Sequence, residues 1–178
     1  MPPDADLTPL AGRIAAAKQD SRMPAELPAA LVLGLYEHAV ECYPEECCGL
    51  LIGPAAGPPQ RQVRCRNVQS RRRSRGESDL DARHAFWIDE QELLDSLVEA
   101  DTAGEALRGI YHSHVDGEAY LSHTDVDCAL GPDGLPLYPG VSQLVVSVWD
   151  DGVRDLACFD WDEAARAFVG RGVRKVDA

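Results

Sequence analysis

The sequence is short of several things, and each shortage excludes a class of protein. It has no apolar run long enough to cross a bilayer, which excludes a membrane-spanning reading. Its first 23 residues carry acids early and lack a continuous apolar stretch, so they do not read as a secretory signal peptide. No internal repeat is found. Positive charge is scarce: 17 Lys and Arg stand against 30 Asp and Glu, a formal net charge of -13. That balance argues against nucleic-acid binding and against adhesion to anionic membranes. Six cysteines in 178 residues are too few for a disulfide scaffold, and they form no repeated Cys-x-x-Cys pair. The expected compartment is therefore the reducing cytoplasm, with the cysteines as free thiols.

What remains is one domain's length of chain, 45% hydrophobic and 26% charged, enough to bury a core. Residues 1-26 are expected to form a tail and residues 27-178 the folded domain. Apolar spacing predicts a helix over Pro28–Cys42, ended by Pro44. The run Cys48–Gly53 predicts a buried strand stopped by a Gly/Pro cluster, and Gln62–Val68 a second strand. Gln69–Arg83 has no periodicity and is expected to be a mobile loop. Trp87–Thr102 predicts an amphipathic helix with Ile88, Leu93, Leu94, Leu97 and Val98 on its apolar side. Arg108–His114 predicts a strand and Ser122–Leu130 a helix. Ser142–Trp149 and Arg154–Trp161 flank Asp150-Asp151-Gly152 and predict a hairpin. Asp162–Phe168 is expected to be a short helix. The sum is an α/β, α+β layered domain: a mixed sheet flanked by helices, with hairpins.

The chemistry gathers in one stretch. His112 and His114 lie two apart on a predicted strand, so both imidazoles point to one face and can reach one Zn²⁺. Ser122 and Asp125 lie three apart at a predicted helix start and share a face as well. Two His and one carboxylate leave a fourth tetrahedral position for water, the arrangement of a catalytic zinc site. Each piece has a plainer reading. A His-x-His on a strand is often surface alternation, and Ser-x-x-Asp before an apolar run is a capping box. Capping and ligation can coexist, since a cap would hold Asp125 still. Glu46, next to Glu45, reads by position alone as an exposed loop acid. His38 and His84 have no partners in spacing and are expected at the surface; His123 is expected to point away from the Asp125 face. Cys47 and Cys48 open an apolar strand and are expected to be buried and structural.

Taken together, Glu46-x-x-Gly49, His112-x-His114, seven residues and Ser122-x-x-Asp125 resemble the motif of the MPN+/JAMM (JAB) zinc metalloproteases, complete in every position. The resemblance covers about Leu27 to Phe168, and the flanking Tyr43–Gly53 and Gly109–His114 are similar to bacterial members. Val115 and Leu121 stand where many members carry proline, and the His-Asn-His-Pro pattern of the DNA-repair-associated RadC branch is not matched. The resemblance implies a mixed sheet with helices, one zinc per chain held by His112, His114 and Asp125, Glu46 as general base and Ser122 as donor to the oxyanion. It implies hydrolysis of an amide bond at the C-terminal tail of a ubiquitin-like or ThiS/MoaD-type sulfur-carrier protein of the β-grasp fold. Glu118-Ala119-Tyr120 is similar to members that release cysteine from the carrier. Deconjugation of a bacterial ubiquitin-like protein and a silent MPN scaffold are the alternatives; the scaffold usually loses motif residues that this chain keeps. Finally, Arg61–Arg75 places seven arginines in fifteen residues without an acid, either a solvated loop or a docking loop for an acidic carrier.

Overall fold

A computed structural model describes residues 24–176; most of the tail expected over residues 1-26 lies outside the described residues. The elements in chain order are β1 (Ala25–Pro28), α1 (Ala29–Cys42), β2 (Cys48–Gly53), β3 (Arg61–Cys65), α2 (Gln69–Ser74) and α3 (Glu90–Thr102). They continue with β4 (Ala106–Val115), α4 (His123–Ala129), β5 (Ser142–Trp149), β6 (Gly152–Asp162), β7 (Ala167–Arg171) and β8 (Val173–Val176). Six strands form one mixed sheet in the order β3-β2-β4-β5-β6-β7, and β1 pairs with β8 in a separate parallel ribbon.

The centre of the sheet is apolar on both faces because helices cover both. All six residues of β2 are buried. Leu51, Tyr111 and Leu144 pack on one face against Leu31, Val32 and Leu35 of α1. Cys48, Leu50 and Ile52 pack on the other, with Ile88 and Ala100 and, partly buried, Leu93. This is why Cys48–Gly53 is a continuous apolar run rather than an alternating one. Strand β4 is antiparallel to β2 but parallel to β5, so the chain leaves its C-terminal end and crosses over through residues 116–141 before β5 begins. In layered α/β folds such a crossover at a strand's C-terminal end is where functional groups collect. His112, His114 and α4 sit there.

Four expectations are corrected. Gln69–Arg83 is no featureless loop: it opens with α2, six residues long and too short for its apolar period to show. Six of the run's seven charges are also matched by acids elsewhere in the chain. Arg61 pairs with Glu105, Arg64 with Glu41, Arg66 with Glu92, Arg71 with Asp89, Arg72 with Glu77 and Arg73 with Asp81. The helix expected from Trp87 starts at Glu90, because the Asp89 side chain accepts the amides of Gln91 and Glu92 as its cap; Leu94 and Val98 are exposed rather than core-facing. Asp162–Phe168 closes the β6–β7 hairpin instead of forming a helix. Trp161 pairs across to Phe168, so sheet contacts override local helix propensity. His38 is buried, its Nδ1 2.7 Å from the Tyr111 hydroxyl, which also accepts from Gln62 at 2.7 Å. Burial, and then the nearby Arg64 charge, lower the His38 pKa to about 4.

Candidate metal centre

Strand alternation places the two histidines as expected, on one face of β4. His112 is fully buried, its ring stacked on Phe86 with centroids 4.4 Å apart. The Nδ1 of His114 lies 2.9 Å from the Glu118 carbonyl. That oxygen can only accept, so Nδ1 carries a proton and Nε2 is the nitrogen turned inward.

Asp125 arrives from the start of α4. The Ser122 hydroxyl accepts the Asp125 amide at 3.2 Å, and Asp125 Oδ2 accepts the Ser122 amide at 2.7 Å. This reciprocal capping box ends the backbone donors of the helix and locks the Asp125 rotamer in one step. The capping reading of Ser-x-x-Asp is realised, and the cap leaves the Asp125 carboxylate turned toward both histidines. Burial opposes ionisation of Asp125, but the close approach of His112 and His114 and the hydrogen bond from the Ser122 amide outweigh it and hold the carboxyl well below the usual range.

The convergence is tight. Asp125 Oδ2 lies 3.4 Å from His112 Nε2 and 3.3 Å from His114 Nε2. One ligand atom from each of the three residues falls within 4.8 Å of the others. A tetrahedral metal with bonds of about 2.0–2.1 Å spaces its ligand atoms about 3.3 Å apart. A cation between the two Nε2 atoms and the carboxylate oxygen would be shared by all three residues. Both ring nitrogens of His112 and Oε2 of Glu46 are buried without a hydrogen-bond partner. Unmade hydrogen bonds of this kind cost about 1–3 kcal/mol each, so a cluster of them marks a site that a ligand completes. These three residues fit a divalent metal.

Glu46 is buried, not the exposed loop acid that its position suggests. Its amide donates to the Ala82 carbonyl at 2.7 Å and its carbonyl accepts from Asn67 Nδ2 at 2.9 Å. Burial, and secondarily the charge of Asp125, push its carboxyl up to about 9. Gly49, the fixed glycine of the motif, has a purely steric reason: a Cβ there would lie 2.2 Å from the Val63 carbonyl and 2.5 Å from the Tyr111 hydroxyl.

Residues 28–160 match the family described as prokaryotic homologs of the JAB domain. The chain belongs to that family. Two solved structures share the JAB-domain chain's fold: a protein from Desulfitobacterium hafniense, 19% identical with a TM-score of 0.63 over 86% of this chain and 93% of its own, and one from Salinibacter ruber, 23% identical with a TM-score of 0.58 over 85% and 92%. Among curated proteins, this JAB-domain chain is 33% identical over 104 residues to the CysO-cysteine peptidases of Mycobacterium bovis and Mycobacterium tuberculosis. The match takes in 58% of this chain and 64% of theirs.

The structure separates the remaining candidates. His123 pairs with Asp127 at 3.0 Å on the exposed side of α4, away from the centre. His84 is exposed and reaches Asp81 at 2.7 Å. Cys47 and Cys48 are buried, and burial pushes the Cys47 thiol up to about 12, so neither is a ready nucleophile. Two supporting residues escape sequence reasoning. Asn67 uses its amide group on the Glu46 and Ala85 carbonyls and its oxygen on the Gln69 and Trp87 amides, tying the loop that carries Phe86 to the Glu46 backbone. Ser113, between the two histidines, faces the other way; alternation indicates that direction but not its partner.

Proposed function

We propose that this chain is a zinc-dependent peptidase that hydrolyses the terminal amide bond of a ThiS/MoaD-type sulfur-carrier protein of the β-grasp fold and releases cysteine. The observation that carries it is the convergence of His112, His114 and Asp125 beside the buried, unpartnered carboxyl of Glu46. The CysO-cysteine peptidases, named for that reaction, support the substrate class.

His112 Nε2, His114 Nε2 and Asp125 would hold the metal. Zinc supplies Lewis-acid polarisation of a water and of the scissile carbonyl. Glu46 takes a proton from the attacking water at Oε2 and delivers it to the leaving nitrogen. Glu46 would regain the ionised form that a base requires once a bound dication offset the burial and the charge of Asp125. Ser122 Oγ accepts from the Asp125 amide and keeps its own O–H free to donate a hydrogen bond to the oxyanion. Next to Asp125 a cavity of about 180 Å³, lined by Phe86, Ile88, Leu93, Cys128 and Leu137, offers an apolar berth for the carrier's tail. Six free cysteines, four of them buried, are in keeping with work in the reducing cytoplasm.

Metal analysis joined to a cleavage assay tests the reading. Wild type is expected to hold about one zinc per chain and to shorten a carrier–cysteine substrate by one residue in mass spectrometry. Glu46→Gln should keep the metal and lose the cleavage, by about 10²–10⁴-fold. A zinc-loaded wild type that leaves the substrate intact overturns the proposal.

A further inference from the structure

A second charged group stands at the rim of the metal centre, and the motif does not account for it. Arg83 follows Ala82, whose carbonyl accepts the Glu46 amide at 2.7 Å. Its Nη2 donates to Asp116, two residues beyond His114 in a turn with φ 52°. Asp116 also accepts from the Tyr43 hydroxyl at 3.3 Å. The cluster thus bridges the backbone beside Glu46 and the backbone beside His114.

The pair is not what holds this loop in place. Both partners are partly exposed, 40% and 33% by side chain, and such solvent-screened pairs add little to stability. The loop is already fixed by the Ala82 carbonyl and by Asn67 bonding to Ala85. A guanidinium has five N–H donors in a fork suited to carboxylates, and Arg83 spends only one nitrogen on Asp116. Two arginines of the preceding helix are more fully engaged: Arg71 reaches both Asp89 and Glu90, and Arg72 pairs with Glu77 while stacking 3.6 Å over Trp87. The two flanks of the centre therefore differ in kind. The Asp125 flank is an apolar cavity, and the Glu46–His114 flank ends in a cation with spare donors.

The geometry points to Arg83 as the residue that receives the free α-carboxylate of the leaving amino acid. The substrate then ends one residue past the scissile bond. Water adds across the amide: the carrier departs with a new carboxylate, and the terminal residue departs as an amino acid whose own carboxylate Arg83 held. A lysine-linked conjugate presents no carboxylate at that place. This inference rests on the peptidase reading above.

The test uses a β-grasp sulfur-carrier protein bearing one added C-terminal cysteine, made by ligation both as the free acid and as the carboxamide. Zinc-loaded wild type is expected to prefer the acid by about tenfold to a hundredfold in kcat/KM, chiefly through KM, as loss of a charge-assisted hydrogen bond dictates. Arg83→Gln should cut the amide as wild type does, hold the same zinc and melt at the same temperature, but lose the preference. Arg83→Lys should recover part of it. Equal cutting of acid and amide by wild type overturns the assignment of Arg83 alone, as does an Arg83→Gln variant that keeps the preference. A zinc-loaded wild type that cuts neither form overturns the peptidase reading and this inference with it.

Discussion

The Ser113 hydroxyl accepts the Cys47 amide at 2.8 Å, across the start of β2 and the end of β4. The Ser113 amide returns a bond to the Cys47 carbonyl at 3.1 Å. The residue between the two candidate ligands thus clasps the residue after the candidate base. Because successive side chains on β4 alternate, the same three residues present two imidazoles to the metal face and a hydroxyl to the β2 backbone.

Ser113→Ala is expected to separate metal binding from catalysis. It leaves the Cys47 amide buried without its partner, a cost of about 1–3 kcal/mol, and loosens Glu46 while leaving both imidazoles in place. Zinc content should be unchanged and kcat should fall about tenfold or more. Loss of zinc in parallel with kcat would show that Ser113 supports the ligands rather than the base.

Glu46 should lower the stability of the metal-free protein as pH rises. Its ordinary value is 4.5 and burial raises it to about 9 in the fold. The folded state therefore binds the proton more tightly, so the favourable contribution is complete below the ordinary value and disappears as pH climbs through the raised one. Glu46→Gln, always neutral, should melt several degrees above wild type at the alkaline end and no higher at the acidic end. The expected difference is on the order of a few kcal/mol, with about 2–4 °C per kcal/mol for a chain of this size. Calorimetry across that range checks it, and a gap independent of pH would contradict it. Site groups that oppose stability in this way are expected where function has been selected over fold.

Asp125 serves two masters, so its variants should part company. Asp125→Ala removes a metal ligand and one half of the capping box, costing about 1 kcal/mol of metal-free stability together with the zinc. His112→Ala should lose the zinc without touching the cap. Comparing the melting temperature of metal-free Asp125→Ala with that of metal-free wild type reads the cap; equal values would deny Asp125 its capping role.

Gly49→Ala should fail for steric reasons alone. The new methyl would collide with the Val63 carbonyl and with the buried Tyr111 hydroxyl, neither of which has room to retreat. Overpacking of this kind costs about 1–3 kcal/mol or more. A soluble Gly49→Ala protein should show a depressed Tm in denaturation even without metal, which distinguishes packing from a chemical role.

Local patterns carried much of the architecture. The span of β2 was legible from a Gly/Pro stop and a run too apolar to face water, and the β5–β6 hairpin from Asp-Gly between two apolar runs. Short-range geometry also sufficed for the centre: two residues apart on a strand and three apart at a helix start put His112 with His114 and Ser122 with Asp125 whatever the rest of the chain does. Where local preference and tertiary contact disagreed, tertiary contact won. Asp162–Phe168 holds good helix formers but turns a hairpin, because Trp161 and Phe168 gain more by packing across the sheet.

What the sequence by itself determined is the candidate ligand set and its spacing, since those depend only on backbone periods of two and on one helical turn. What only the tertiary structure decided is how distant segments meet. It buried Glu46 and His38, matched the arginine run with acids from other elements, and set Ser113 against Cys47 and Arg83 against Asp116. The physical reason is that burial and charge compensation are properties of surfaces brought together, and a residue's neighbours along the chain do not specify its neighbours in space.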